Sequence, residues 1–429
     1  VVFSLLDYIT IRPFSIHFNH PNDGLLVIYY LDTVRSPREE IMNFWTALKE
    51  GRKESSIEWM IYSNIAVTTL WSQYFYSEGY NPVQIGLLMA MIPLMSFVSN
   101  PFFFRLASSV SEQKIIRLVA FIPAILVWGV FLFSGFWFKL WIILPVALTM
   151  SAVIPLAEGM VIQSLKKKGL RFDHIRLWGT IGYSCTILIS GLLVQVSYAW
   201  VFAFSTMSLL VVGAIGPLLA QTPVAVSVKQ QPTVPLGQMK TFLIMLGFSA
   251  VATSVGSMSS VFLPMLTDGY GFPEWAPGVS FSIMAISEVP FLLLGERILK
   301  RLGNIRLLAI GISAIAFRVL LMSWIAHPLG FFFTLPIHGL GYITVYYALF
   351  QFIHYHLSPH QVRNAQVLLW ITLQGINFTV GSLGGGWLVE QTGVLTGYRF
   401  AGWLGLAIAA GAWVYSLQAK RAAHTKERE

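Results

Sequence analysis

Charge is scarce in this sequence: only 11% of its 429 residues are Asp, Glu, Lys or Arg, against roughly 25% in an ordinary soluble domain. That shortage excludes a soluble enzyme. Cys185 is the single cysteine, so no intrachain disulfide can form and the redox compartment is unconstrained. No Gly-rich loop is followed by the Lys-Ser/Thr pair that cradles phosphate. Gly381, Gly384, Gly385 and Gly386 instead lie in an apolar run, where small residues let helices approach one another. Nucleotide hydrolysis by this chain is therefore not expected. His354, His356 and His360 are too closely spaced near a helix end to close a ligand set, so neither a metal nor any other cofactor is expected. Acidic residues are scarcer than basic ones, 19 against 28, leaving a net charge of +9. That excess could suggest nucleic acid, but it lies between apolar stretches, where it reads as membrane topology.

What the chain does have is apolar length. Of its residues 55% are hydrophobic, and runs of about 20 residues, each enough to cross a hydrocarbon layer roughly 30 Å thick, recur throughout. Hydropathy predicts spans at 57–78, 83–104, 114–136, 138–163, 174–197, 198–220, 239–266, 275–299, 305–327, 329–354, 364–389 and 395–417. An even number puts both termini on one side. All but Lys139, Arg399 and Arg318 of the 28 Lys and Arg fall in the termini and alternate loops on that same side, which the positive-inside rule makes cytoplasmic.

The polar, Pro-containing stretch after residue 220 separates two sets of six spans. Expected boundaries are a cytoplasmic extension at 1–56, bundles at 57–220 and 239–417, a linker at 221–238 and a tail at 418–429. Gly79-Tyr80 before Gly86, and Gly269-Tyr270 before Gly278, echo each other half a chain apart. Such paired halves are how many carriers rock about a central site. Residues 1–41 hold Pro13, Pro21 and Pro37, lack the order of a signal peptide, and precede Met42, which leads into the first span. They are expected to be a mobile extension upstream of the natural start.

Ionisable groups inside spans are costly and usually face a polar cavity. Glu158, Glu288, Arg318 and His338 qualify, and Arg176, at the start of a span, is either a fifth member or a flanking charge. Arg318 lies midway along its span and needs a counter-charge nearby. Glu288, on the preceding span, is the expected partner. Apolar surroundings favour a neutral carboxyl and a nearby guanidinium favours an ionised one, so movement between the two settings would bind and release a proton. A static ion pair joining the two spans is the alternative. His338 titrates near neutrality in water and is read as a proton relay, a substrate donor or a helix-satisfied side chain.

Pro155-Leu-Ala-Glu158 and His174-Ile-Arg176-Leu-Trp-Gly179-Thr-Ile-Gly182-Tyr183 resemble the branch of the major facilitator superfamily that contains lactose permease and the phenylpropionic acid permease. Weaker matches at Gly79–Gly86, Ser287–Pro290, Phe317-Arg318, Ile337–Gly339, Asn364–Gln366 and Gly384–Leu388 fall in the right order. The resemblance implies an all-α fold of twelve transmembrane helices in two six-helix bundles. It also implies that Glu158 and Arg176 form a substrate-side pair, that Tyr183 packs an apolar face of the substrate, and that Arg318 and His338 line the cavity opposite. Gly341 stands where the sugar carrier has a carboxylate, and the loop at Phe104–Lys114 lacks the family's pattern. Both features are closer to the phenylpropionic acid permease, and they leave proton coupling to Glu288 or Glu158.

The expectation is therefore a monomeric, proton-coupled symporter in the cytoplasmic membrane, moving a small polar organic solute such as an aromatic acid, a sugar or a nucleoside. A drug or metabolite antiporter and a non-transporting membrane sensor are the competing readings. The expected partners are the solute and the bilayer, with no nucleic acid and no cofactor beyond a coupling proton.

Overall fold

The computed structural model describes residues 49–170, 172–219 and 236–426, and among these every regular element is a helix. The expected N-terminal extension and the polar stretch between the halves lie almost wholly outside the described residues. The first half contains α1 (Arg52–Thr69), α2 (Trp71–Ser77), α3 (Pro82–Ser109), α4 (Glu112–Leu132), α5 (Phe136–Lys168), α6 (Phe172–Leu193) and α7 (Ala199–Ile215). The second contains α8 (Leu236–Val261), α9 (Leu263–Gly269), α10 (Ala276–Ser287), α11 (Val289–Leu302), α12 (Asn304–Trp324), α13 (Pro328–Thr334), α14 (Tyr342–His356), α15 (Pro359–Trp370), α16 (Asn377–Thr392) and α17 (Val394–Lys426). These pieces fall into the twelve predicted spans, several of them broken near their middle or end. Among the described residues, nine helices are long and apolar enough to cross a membrane, and a bent α10–α11 pair makes a tenth. The two predicted spans that fall short, α1–α2 and α6, carry Glu54, Glu58 and Arg176. Apolarity gives way where the charges collect.

Each end of the molecule has its own polar ties. At one end α5 finishes with Lys166, Lys167 and Lys168 and stops at Gly169, whose φ of 66° is the left-handed conformation that glycine adopts freely. There Lys168 Nζ lies 2.7 Å from Glu54 and donates to the Glu50 carbonyl at 2.8 Å, while Ser164 Oγ donates to Glu54 at 2.5 Å. This basic end pins the start of α1 to the end of α5. At the opposite end the fully buried Lys139 donates to Tyr74 Oη at 2.5 Å and to the Val130 carbonyl at 2.9 Å, and sits 3.4 Å from Glu78. A lysine expected simply to flank a span thus ties α2, α4 and α5 together.

The halves meet at this second, sealed end. α3 packs along α16 and α6 along α10. A Cβ on Gly86 would lie 2.3 Å from the Ser382 carbonyl oxygen, and one on Gly278 would lie 2.5 Å from the Gly191 Cα. Only glycine permits backbones to approach so closely. Three hydrogen bonds span the same region: Gln73 Nε2 to the Glu274 carbonyl at 2.6 Å, Tyr76 Oη to Asp268 at 2.6 Å, and Ser282 Oγ to the Ser184 carbonyl at 3.2 Å. The first two of these bonds lie along a small cavity of about 180 Å³ beside Tyr198.

Candidate functional site

Below the seal, α1, α5 and α6 of the first half converge on Tyr62. Its hydroxyl donates to Glu158 Oε1 at 2.9 Å, and the Arg176 guanidinium carbon stands 3.7 Å from the centre of its ring. Glu158 and Arg176 therefore do not pair directly. Tyr62 lies between them, with a hydrogen bond on its edge and a cation on its face. The sequence makes this possible through Gly179-Thr-Ile-Gly182: a Cβ at Gly179 would meet the Tyr62 ring at 2.6 Å and Arg176 Nη1 at 2.7 Å. One at Gly182 would meet the Trp59 carbonyl at 2.8 Å, so the two glycines also let α1 lie against α6.

One turn before Tyr62 lies Glu58, fully buried, within electrostatic reach of Glu158 and Arg176, and with neither carboxylate oxygen in a hydrogen bond. Sequence reasoning missed both residues. The spacing of Glu58 and Tyr62 by four places them on one helix face, and that was the available signal.

The second half contributes a pair. His338 Nε2 lies 3.3 Å from Glu288 Oε1, with about a fifth of each side chain exposed, 21% and 23%. Local breaks bring them together. Pro290 follows Glu288, where α10 passes to α11, and Pro336 opens the 3₁₀ turn Leu335–Leu340. Gly339 then lies directly on the Ser287 carbonyl, so the residues beside this contact, 288 and 338, face each other. Tyr183 of α6 lies beside Thr69 and within electrostatic reach of Glu288. Tyr346 of α14 similarly faces Arg176 and Glu158, and Gln374 donates to Tyr342 Oη at 3.0 Å. Tyrosine hydroxyls from both halves thus surround the charged groups.

Arg318 departs from expectation. It neither pairs with Glu288 nor lines the cavity; it is 2% exposed inside the second half. Its Nη2 donates to Ser259 Oγ at 3.1 Å, and its Nη1 lies 3.1 Å from Met284 Sδ and 3.2 Å from Met322 Sδ. The helix face bearing Arg318 and Met322 turns into the bundle, while the break at Glu288 turns that carboxylate toward His338. Adjacency in sequence does not determine which faces of two antiparallel helices meet. Because Arg318 Nε already lacks a partner, Ser259→Ala removes the sole oxygen acceptor found for the guanidinium. A hydrogen bond to a charged group contributes about 1.5–3 kcal/mol, so the purified variant is expected to melt several degrees lower. An unchanged melting temperature would mean that the two sulfurs satisfy the cation by themselves.

The chain matches the MFS_1 like family over residues 59–400. It is 24% identical over 368 residues to a maltose permease of Geobacillus stearothermophilus, an alignment covering 83% of this chain and 91% of that one. An uncharacterised transporter of Bacillus subtilis (strain 168), YwbF, is 22% identical over 388 residues, covering 84% and 91%. The crystal structure of the nucleoside transporter NupG superposes with a TM-score of 0.72 at 18% identity, over 84% of this chain and 98% of that chain. With a family match extending across both helical halves, the chain belongs to the MFS_1 like family and is a multi-pass membrane transporter of the major facilitator type, not an enzyme.

Proposed function

We propose that this transporter is a proton-coupled symporter that takes up a neutral, hydroxyl-rich solute, a sugar or a nucleoside, by rocking its halves about the tyrosine-lined site. The observation that carries this reading is the clasp of Tyr62 between Glu158 and Arg176. A carboxylate and a guanidinium held apart by an aromatic ring offer an acceptor, several donors and a flat apolar face, which suits a hydroxylated ring. With Arg318 withdrawn into the bundle, Glu158 and Glu288 outnumber the single cavity arginine. That balance disfavours an aromatic acid anion. The names of the maltose and nucleoside transporters point the same way.

The basic end is assigned to the cytoplasm by the positive-inside rule. Sealed at the other end, the conformation described is then inward-facing, with the solute site reached from the cytoplasmic side. Counterflow in proteoliposomes tests the substrate class, using radiolabelled maltose, uridine and 3-phenylpropionate. Exchange of maltose or uridine is expected. Exchange of phenylpropionate alone, or of none of the three, would overturn the reading.

Coupling is assigned to the Glu288–His338 pair. Glu288 stands between water and the protein interior, 3.3 Å from His338 Nε2, and so is placed to take up a proton and hand it on. Glu288→Gln cannot ionise but keeps the side chain's shape. The variant is expected to exchange solute normally at equal pH. Its accumulation ratio under an imposed pH gradient should fall about tenfold per pH unit for the proton no longer carried. A parental accumulation ratio would remove Glu288 from the coupling step.

A further inference from the structure

Glu58 is a second acidic group that no step above uses. It is completely buried, and both carboxylate oxygens lack a hydrogen-bond donor. Among the described side chains, the titratable groups facing it are Glu158 on α5, Arg176 on α6 and Tyr62 on its own helix. α7, also packed on α1, presents no charged side chain. Glu54, one turn earlier, is occupied by Lys168 and Ser164. Two carboxylates therefore share one guanidinium.

Their surroundings are unequal. Glu158 receives the Tyr62 hydroxyl and is partly exposed. Arg176 is committed to the Tyr62 face beside it. Glu58 is shut off from bulk solvent and receives no donor from the protein, and an ionised carboxylate in that setting is the costliest state for a buried acid. One proton on Glu58 removes that cost and leaves Glu158 and Arg176 balanced.

We propose that Glu58 is a proton-binding site in the first half, protonated in the inward-facing conformation and separate from the Glu288–His338 pair, and that its proton moves with the solute. Tyr346 brings the second half to within electrostatic reach of Arg176 and Glu158. Rocking of the halves thus alters the charges around Glu58, so that its hold on the proton differs between the two facing states; in symport the proton is taken up from outside and given up to the cytoplasm. The transport arm of the test rests on the symport reading given above; the spectroscopic arm does not.

Infrared difference spectra of the purified full chain, taken without solute across a pH jump, report protonated carboxyl groups directly. Glu58→Gln imitates the neutral acid, so it is expected to fold, to melt no lower than the parent, and to lose one protonated-carboxyl band that Glu158→Gln retains. An unchanged band in a folded Glu58→Gln protein overturns the site. Failure of that isosteric variant to fold does so too, because the position would then require a charge. In proteoliposomes, with maltose or uridine as probe, Glu58→Gln should lower accumulation about tenfold per unit of pH gradient. Combining it with Glu288→Gln should abolish accumulation altogether while preserving exchange. Loss of the band with parental accumulation would show that the proton stays behind. If the parent moves neither probe, the symport reading fails, and the infrared result still decides whether Glu58 holds a proton.

Discussion

Arg176→Ala is expected to weaken binding of the transported solute about a hundredfold, and Glu158→Gln to approach that loss, with the fold intact in both. A cation over a ring engages through its charge and not through its N–H groups, so Arg176 keeps donors for a solute, and Glu158 keeps one carboxylate oxygen free of the Tyr62 hydroxyl. A solute hydroxyl that bonds to a charged group contributes about 1.5–3 kcal/mol, and two such bonds lost together amount to about 3 kcal/mol, or two decades of affinity. Removing the guanidinium also frees the Tyr62 ring, so the cost includes the disordering of a binding surface. Folding should survive because both side chains are partly exposed to the cavity. Equilibrium binding of whichever of maltose or uridine exchanges provides the measurement. Parental affinity in both variants would mean that recognition lies elsewhere.

Gly278→Val should have a comparably large effect by a different route. Its Cβ would stand 2.5 Å from the Gly191 Cα and 3.0 Å from the Ile187 carbonyl oxygen. Backbone atoms cannot rotate aside as a side chain does, so α6 and α10 must separate. Overpacking of this kind costs about 1–3 kcal/mol, enough to shift a two-state equilibrium by roughly one to two decades toward the conformation in which this end is open. A cysteine introduced by Ser282→Cys, in a Cys185→Ala background, reports the change because Ser282 is buried at the contact. It should react at least tenfold faster with a membrane-impermeant maleimide when Gly278→Val is present, and net uptake should collapse. Unchanged labelling would show that the glycine contact does not control the seal.

The sequence discloses the fold more readily than the site, for physical reasons. Apolar length is a property of a segment, and each predicted span corresponds to one or two consecutive helices, including those broken at Glu288 and Leu335–Leu340. Side-chain contacts depend on helix rotation, which hydropathy does not report. Glu158 and Arg176 stood out because a charge in an apolar run is conspicuous. Glu58 did not, because it falls at the margin of the first span, where a carboxylate reads as an ordinary flank. Tyr62 was concealed for the opposite reason, being one aromatic residue in an apolar stretch. The Arg318–Glu288 pairing failed because prolines 290 and 336 re-aim Glu288, and a break redirects a side chain without disturbing the hydropathy of its span.

Arg318 introduces a further dependence, on voltage. A guanidinium remains charged in proteins, and this one is held by a hydroxyl and two thioethers, with no carboxylate among its partners. It is therefore a fixed positive charge built into the membrane-spanning helices of the second half. A unit charge crossing the whole field at 100 mV exchanges about 2.3 kcal/mol with it, so a displacement through a tenth of the field exchanges about a tenth of that. In the proposed rocking, the second half would carry Arg318 along with it. On the proposed rocking mechanism, the membrane potential would bias the balance between the two facing states before any solute or proton binds.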